Sequence, residues 1–311
     1  MSEIRTVAIV GAGTVGAGWA AWFALHGLAV RIFDAHEPTR RTVANTVRGH
    51  LQRLVNLGLA DPTTTAAARL HVVDSLEAVA ADADFVQESV LETYEAKKTV
   101  FAVLDALTPP NTLLASSSSG LLISEIQKVM RHPERALIAH PFNPPYLIPL
   151  VELVAGPTTA AETIDRARRF FSARGKEPVV LQKEVPGHLA NRLAAALWRE
   201  AIDLVAQGVA TVEDVDTALR AGPGLRWAVM GQHLIYHLGG GAGGYAYFID
   251  HIGKAFEPYW QTMPTWSTIP AEARQAIIAG AEAATHGRSL SELAQQRDRK
   301  LAAVLKALRE P

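Results

Sequence analysis

The stretch Ala139-His140-Pro141-Phe142-Asn143-Pro144-Pro145 carries the chain's clearest capacity for acid–base chemistry. Histidine is the side chain whose ordinary titration lies nearest neutrality. The apolar run over 136–140 predicts a strand. The prolines behind it hold His140 at a rigid strand end, where open α/β sheets bind their ligands. Glu152 follows twelve positions later in a second apolar run, 150–154. A carboxylate beside a histidine orients the ring and raises its basicity. Such a pair removes the proton of a hydroxyl while hydride departs from the carbon that bears it. The expected chemistry is oxidation of a secondary alcohol to a ketone, weighed against the commoner structural use of a single histidine.

A hydride needs an acceptor, and the start of the chain offers a site for one. Gly11-Ala12-Gly13-Thr14-Val15-Gly16 follows a predicted strand over 6–10 and opens a predicted helix over 15–26. In that context GxGxxG binds a dinucleotide. Gly11 permits the tight turn, Gly13 lets backbone approach the pyrophosphate, and Gly16 lets helix and strand pack closely. Thr14 and Val15 begin the helix whose N–H groups face the phosphates. Asp34 closes a second predicted strand over 29–33, 18 residues after Gly16. An acid there accepts from the ribose hydroxyls and repels a 2′-phosphate. NAD is therefore expected over NADP, with Arg40 and Arg41 near enough to soften the preference.

These side chains need a scaffold, and the alternation of patterns predicts one. Further strands are expected over 70–73, 85–87 and 112–115, with 150–154 and 178–181 extending the sheet, and a long helix over 40–57. Strands alternating with helices indicate a parallel sheet covered on both faces. After Glu184-Val185-Pro186-Gly187 the periodicity becomes almost wholly helical. Leu189, Leu193, Leu197, Ala201 and Leu204 recur at helical spacing, with Gly208 as a stop, and another helix is expected over 211–221. Ser289 to Glu292 fits a capping box that opens a last helix. The fold class is α/β: a Rossmann-type parallel-sheet domain over 1–184 and an all-α domain over 185–311. Gly239 to Gly244 is read as a flexible or tightly turning loop.

Composition narrows the field. A formal net charge of −1 over 311 residues gives no bulk attraction to nucleic acid or to a membrane surface. No cysteine is present, so disulfides, thiolate metal sites and a cysteine nucleophile are excluded. His233 and His237 share a helical face, but no carboxylate nearby completes a metal site, and none is expected. The absence of a signal-peptide pattern and of any long uncharged apolar run predicts a cytoplasmic protein.

Across nearly its whole length the sequence resembles the 3-hydroxyacyl-CoA dehydrogenase superfamily. The resemblance rests on the glycine motif, Gln87-Glu88-Ser89 through Lys97, and the serine run 116–119. It extends to His140-Pro141-Phe142-Asn143-Pro144, Val151-Glu152-Leu153, and Glu184-Val185-Pro186-Gly187 through Asn191-Arg192-Leu193. It implies that His140 is the general base and Glu152 its partner. It implies that Ser119 and Asn191 bind the reacting oxygen, and that Glu92, Lys97, Ser117 and Asn143 lie near the nicotinamide and its ribose. It also implies a homodimer formed through the helical domain. One departure concerns coenzyme A: acyl-CoA members carry a lysine-rich segment after the second strand. Here 50–62 holds one arginine, Arg53, and no lysine, although CoA phosphates favour cationic partners.

Two branches of the superfamily act on free hydroxy acids, the λ-crystallin-like L-gulonate 3-dehydrogenases and the L-carnitine dehydrogenases. The sequence is most similar to the second, through Ser118 to Leu122, Ala196-Leu197-Trp198-Arg199-Glu200-Ala201, Gly208 to Thr211, Gly224-Leu225-Arg226-Trp227 and Gly287 to Leu293. The substrate this implies is a small 3-hydroxy acid with a quaternary ammonium, and such cations bind over aromatic faces. Trp198, Trp227, Tyr236 and Phe248 are the expected cage, set against the usual packing role of such rings. Arg226 is expected to hold the carboxylate through its planar guanidinium. L-Gulonate, 3-hydroxybutyrate and a 3-hydroxyacyl-CoA stay open as substrates, and a non-catalytic crystallin-like role as the alternative to an enzyme.

Overall fold

Strands buried on both faces read as near-continuous apolar runs, and Val7, Ile9, Val30, Ile32, Phe85 and Val86 are fully enclosed. In the computed structural model, which describes residues 3–308, these runs belong to one eight-stranded sheet. Its strands are β1 (Thr6–Val10), β2 (Ala29–Phe33), β3 (Arg69–Val72), β4 (Phe85–Glu88), β5 (Leu113–Ser116), β6 (Ala136–Pro141), β7 (Leu150–Val154) and β8 (Glu177–Leu181). The spatial order is β3-β2-β1-β4-β5-β6-β7-β8. The order reverses between β1 and β4, which makes the crevice beyond their carboxyl ends the expected ligand site.

The connecting helices are α1 (Thr14–Leu25), α2 (Glu37–Asn56), α3 (Pro62–Ala66), α4 (Leu76–Ala80), α5 (Tyr94–Leu107), α6 (Ile123–Gln127) and α7 (Ala161–Ser172). α1 is buried along most of its length because Trp19, Trp22 and Phe23 pack against Phe170 and Phe171 of α7. In one respect the sheet departs from the all-parallel expectation. β6 and β7 run antiparallel, with His140 directly opposite Glu152. The cause is connection length: only residues 142–149 separate the two strands, and a parallel crossover needs about a dozen or more. α7 then supplies a full crossover, so β8 lies parallel to β7.

The chain divides into two compact units, Met1–Arg192 and Leu193–Pro311, the division falling inside α8 (Ala190–Ala206). The second unit is helical: α9 (Val212–Ala221), α10 (Pro223–Val229), α11 (Gln232–Gly239), α12 (Gly244–Tyr247), α13 (Glu257–Thr262), α14 (Ala271–Ala284) and α15 (Leu290–Ala307). The expected capping box opens α15: Ser289 Oγ accepts from the Glu292 N–H, and Glu292 accepts from the Ser289 N–H. The glycine run after α11 is a tight turn rather than an open loop. A Cβ on Gly240 would lie 1.8 Å from the Gly244 carbonyl oxygen.

Candidate active site

The glycine loop has the shape a dinucleotide requires. Gly11 has φ +91°, and a Cβ there would lie 2.5 Å from the Ser89 carbonyl oxygen at the end of β4. A Cβ on Gly16 would strike the Gly11 carbonyl, whereas one on Gly13 would meet nothing within 4 Å. The loop is thus closed towards protein and open where a pyrophosphate approaches. Thr14 and Val15 start α1. Asp34 is held at the end of β2 by the Ala12 N–H at 2.7 Å and the His36 N–H at 2.8 Å. Each carboxylate oxygen keeps a lone pair for a ribose hydroxyl. Both nearby arginines are engaged: Arg40 on the Asp34 carbonyl and the Asp74 carboxylate, Arg41 on Glu37. The residues present fit NAD, and both arginines near Asp34 are already paired with groups of this chain.

The β6–β7 pairing turns a twelve-residue separation into a contact. His140 Nδ1 and Glu152 Oε2 are 2.8 Å apart, and both side chains are buried. The other oxygen of Glu152 accepts from the Leu189 and Ala190 N–H groups at 2.9 and 2.8 Å. Burial alone would raise the Glu152 pKa, but the His140 bond and these two N–H groups hold it below the ordinary range. An ionised carboxylate only accepts, so the proton between them sits on Nδ1 and Nε2 is left as the basic nitrogen.

A cleft of about 240 Å³ brings His140 together with Val15, Glu92, Lys97, Ser117, Ser119 and Asn143. Glu92 gathers the serine loop onto one oxygen: Ser118 Oγ at 2.6 Å, the Ser119 N–H at 2.8 Å and Ser119 Oγ at 3.3 Å. Burial opposes its ionisation, yet Ser118, the Lys97 ammonium and the Ser119 N–H keep its pKa low. Lys97, 1% exposed, lies 2.9 Å from Glu88 and 3.2 Å from Glu92. Glu88 is wholly enclosed, and burial pushes its pKa up against the pull of Lys97 and Ser116. Ser117 bonds Gln87 and Ser89, and Asn191 Nδ2 donates to the Ser119 carbonyl at 2.9 Å.

Sequence reasoning named Lys97 but gave no role to its closest partner. Glu88 could have been found as an acid inside a buried apolar strand, where only a paired charge is tolerated.

The residues expected around the substrate all fall in the second unit. Tyr236 and Phe248 stack on one another, with centroids 4.4 Å apart. Phe248 is buried there among Tyr236, Tyr245 and Phe256. Trp198 on α8 is 57% exposed. Neither it nor Trp227 on α10 makes a ring contact among the described residues. Arg226 is exposed on α10 with no ion-pair partner among the described residues. His233 and His237 are used locally, bonding the hydroxyl and the N–H of Tyr245.

Comparison with known proteins places the chain in a family. The profile described as "3-hydroxyacyl-CoA dehydrogenase, NAD binding domain" matches residues 6–185, and its companion, "3-hydroxyacyl-CoA dehydrogenase, C-terminal domain", matches 187–276. The chain belongs to the 3-hydroxyacyl-CoA dehydrogenase family. Together with the open glycine loop and Asp34, that membership makes it an NAD-dependent dehydrogenase. It is 44% identical over 305 residues to the L-carnitine dehydrogenase of Streptomyces coelicolor, covering 98% of this chain and 95% of that one. It is 42% identical over 310 residues to the L-carnitine dehydrogenase of Pseudomonas aeruginosa, covering 100% and 96%. Among solved structures, an NAD+-dependent 5-formyl-3-hydroxy-2-methylpyridine 4-carboxylic acid 5-dehydrogenase, described as a dismutase, superposes with a TM-score of 0.84 at 30% identity, covering 99% of both chains. No helix among the described residues is long and apolar enough to cross a membrane.

Proposed function

We propose that this dehydrogenase oxidises the 3-hydroxyl of L-carnitine to the ketone. The observation that carries the mechanism is the 2.8 Å bond from His140 Nδ1 to a carboxylate that two backbone N–H groups also hold. It reserves Nε2 for the substrate hydroxyl proton, and Glu152 stabilises the imidazolium that forms. NAD, when bound, takes up the hydride. Asn191 has a second amide hydrogen beyond the one given to Ser119, and this reaches the oxygen that becomes the carbonyl. Ser119 Oγ, only loosely tied to Glu92 at 3.3 Å, turns its proton to the same oxygen at little cost. Glu92, Lys97, Ser117 and Asn143 line the nicotinamide end.

Identity of 42–44% to L-carnitine dehydrogenases supports the choice of substrate. So does the chemistry of the second unit. Arg226 is exposed and available to a carboxylate, and the exposed ring of Trp198 and the half-buried ring of Trp227 offer faces to a trimethylammonium. Tyr236 and Phe248 already cover each other and would contribute through the outer face of Tyr236. Leu225 and Val229 on α10, with Leu234 and Leu238 on α11, are exposed apolar pairs at helical spacing. We assign them to a homodimer interface, and the enzyme to the cytoplasm.

The test is NADH formation with L-carnitine, D-carnitine, L-gulonate, 3-hydroxybutyrate and 3-hydroxybutyryl-CoA side by side. L-Carnitine is expected to give the highest kcat/KM. W198A and W227A are expected to lower that value while leaving 3-hydroxybutyrate unchanged. Faster turnover of the acyl-CoA or of L-gulonate would overturn the assignment.

A further inference from the structure

Segment 187–191 does more than present Asn191. Three consecutive carbonyls of the serine loop each receive one donor from it. Ser118 accepts from His188 Nε2 at 3.0 Å, Ser119 from Asn191 Nδ2 at 2.9 Å, and Gly120 from the Gly187 N–H at 3.2 Å. The N–H groups of Leu189 and Ala190 go to Glu152. One short segment therefore joins the loop that bears Ser119 to the carboxylate behind His140. His188 is its enclosed member, with its ring centroid 5.5 Å from that of His140.

The protonation state of His188 follows from its partners. A carbonyl only accepts, so Nε2 carries a proton, and in the neutral ring Nδ1 carries none. Nδ1 is buried with no hydrogen-bond partner. A proton added there would be an unsatisfied buried donor beside His140. Burial pushes the His188 pKa down and His140 adds to this. The Ser118 carbonyl and the carboxylates of Glu152 and Glu92 pull upward without prevailing. The backbone adds an independent sign: φ is +51° at a residue that is not glycine. Such a conformation persists only where the surroundings over-determine it, and it clusters at functional sites.

We propose that His188 is a positioning residue for the alcohol oxidation. Its ring stays neutral, and its Nε2–H fixes the turn at Ser118, and with it Ser119 and Asn191, relative to His140. The inference rests on His140 being the base. Glutamine can place an amide nitrogen near the position of Nε2. Asparagine tolerates the positive φ but is too short to reach the Ser118 carbonyl. H188Q and H188N thus separate the hydrogen bond from the backbone conformation.

At saturating NAD, H188N is expected to lose about 10²-fold in kcat, the scale of a small misplacement of reacting groups. H188Q is expected to recover most of that loss, and KM for NAD stays the same in both. Equal kcat in the two variants, or the reverse order, overturns the proposal. Histidine-labelled NMR on the protein without ligands gives a readout independent of turnover. His188 should titrate below the ordinary histidine value and be the neutral Nε2–H tautomer at about pH 8, and a midpoint at or above that ordinary value, or a neutral ring protonated on Nδ1, overturns the proposal. A parent protein that oxidises no 3-hydroxy acid would refute the assignment of function instead, and the NMR result would still decide the state of His188.

Discussion

Replacing Glu152 by glutamine tests the catalytic pair at its most specific point. Glutamine keeps the size of the side chain and one accepting oxygen. That oxygen is claimed by the Leu189 and Ala190 N–H groups at 2.9 and 2.8 Å. Turning the amide round would leave two part-buried donors facing an NH₂ group, at up to roughly 1–3 kcal/mol each. The NH₂ therefore points at His140. It donates to Nδ1, forces the ring proton onto Nε2, and converts the basic nitrogen into a donor. Loss of the correct tautomer costs on the order of 10⁴ in kcat in a serine protease. Here we expect about 10³–10⁴, or about 4–5.5 kcal/mol of transition-state stabilisation. NAD affinity, measured by fluorescence titration, should be unchanged, because Glu152 is not among the residues that line the nucleotide end. A kcat for E152Q within tenfold of the parent would refute the assignment of Nε2 as the base.

Two further outcomes follow from buried cations. K97M leaves Glu88 enclosed without its ammonium, so stability should fall by about 3–5 kcal/mol. The double variant K97M/E88Q should regain most of this in denaturant unfolding, and no regain would mean that Lys97 is held by something other than the charge pair. Lys176 is 4% exposed. Its ammonium donates to the Pro145 and Ile148 carbonyls at 2.5 and 2.6 Å and lies 5.1 and 5.2 Å from the Trp19 and Trp22 rings. Burial pushes its pKa from 10.5 down to about 7. Between those values the unfolded chain binds the extra proton, so stability should rise with pH from about 7 to 10. The total rise amounts to at most about 4 kcal/mol, and the carbonyl bonds reduce it. K176M should abolish it, and a parent whose stability falls or stays level over that window would contradict the reading.

What the sequence made legible were features whose cause is local. β1, β2 and β7 are the strands expected over 6–10, 29–33 and 150–154 because apolar runs between glycines and prolines have few other conformations open to them. The nucleotide loop was legible because only glycine satisfies a positive φ and a close approach in so short a span. The cage was less so. Composition marks Tyr236 and Phe248 as aromatic, but only the fold reveals that they stack on each other rather than leaving both faces open. Glu88 went without a role because a buried carboxylate is explained by its partner, and Lys97 lies nine positions away on a different element.

The decisive non-local step is the reversal at 142–149. A chain that continued into another parallel crossover would not pair β7 back along β6 in the register that sets Glu152 opposite His140. The short connection instead folds β7 back along β6, so that His140 and Glu152 meet in register. β8 then runs parallel to β7, and the chain leaving it reaches residues 187–191, where two N–H groups meet the carboxylate that the reversal has just placed. The proposed base, its proposed orienting acid and the segment that holds Asn191 thus depend on one topological event. A register slip of one residue would turn His140 and Glu152 to opposite faces of the sheet. Lengthening the 142–149 connection should therefore cost activity well before it costs folding. Insertion of two glycines after Tyr146, followed by kcat and thermal unfolding, would test that order, and loss of the fold ahead of activity would contradict it.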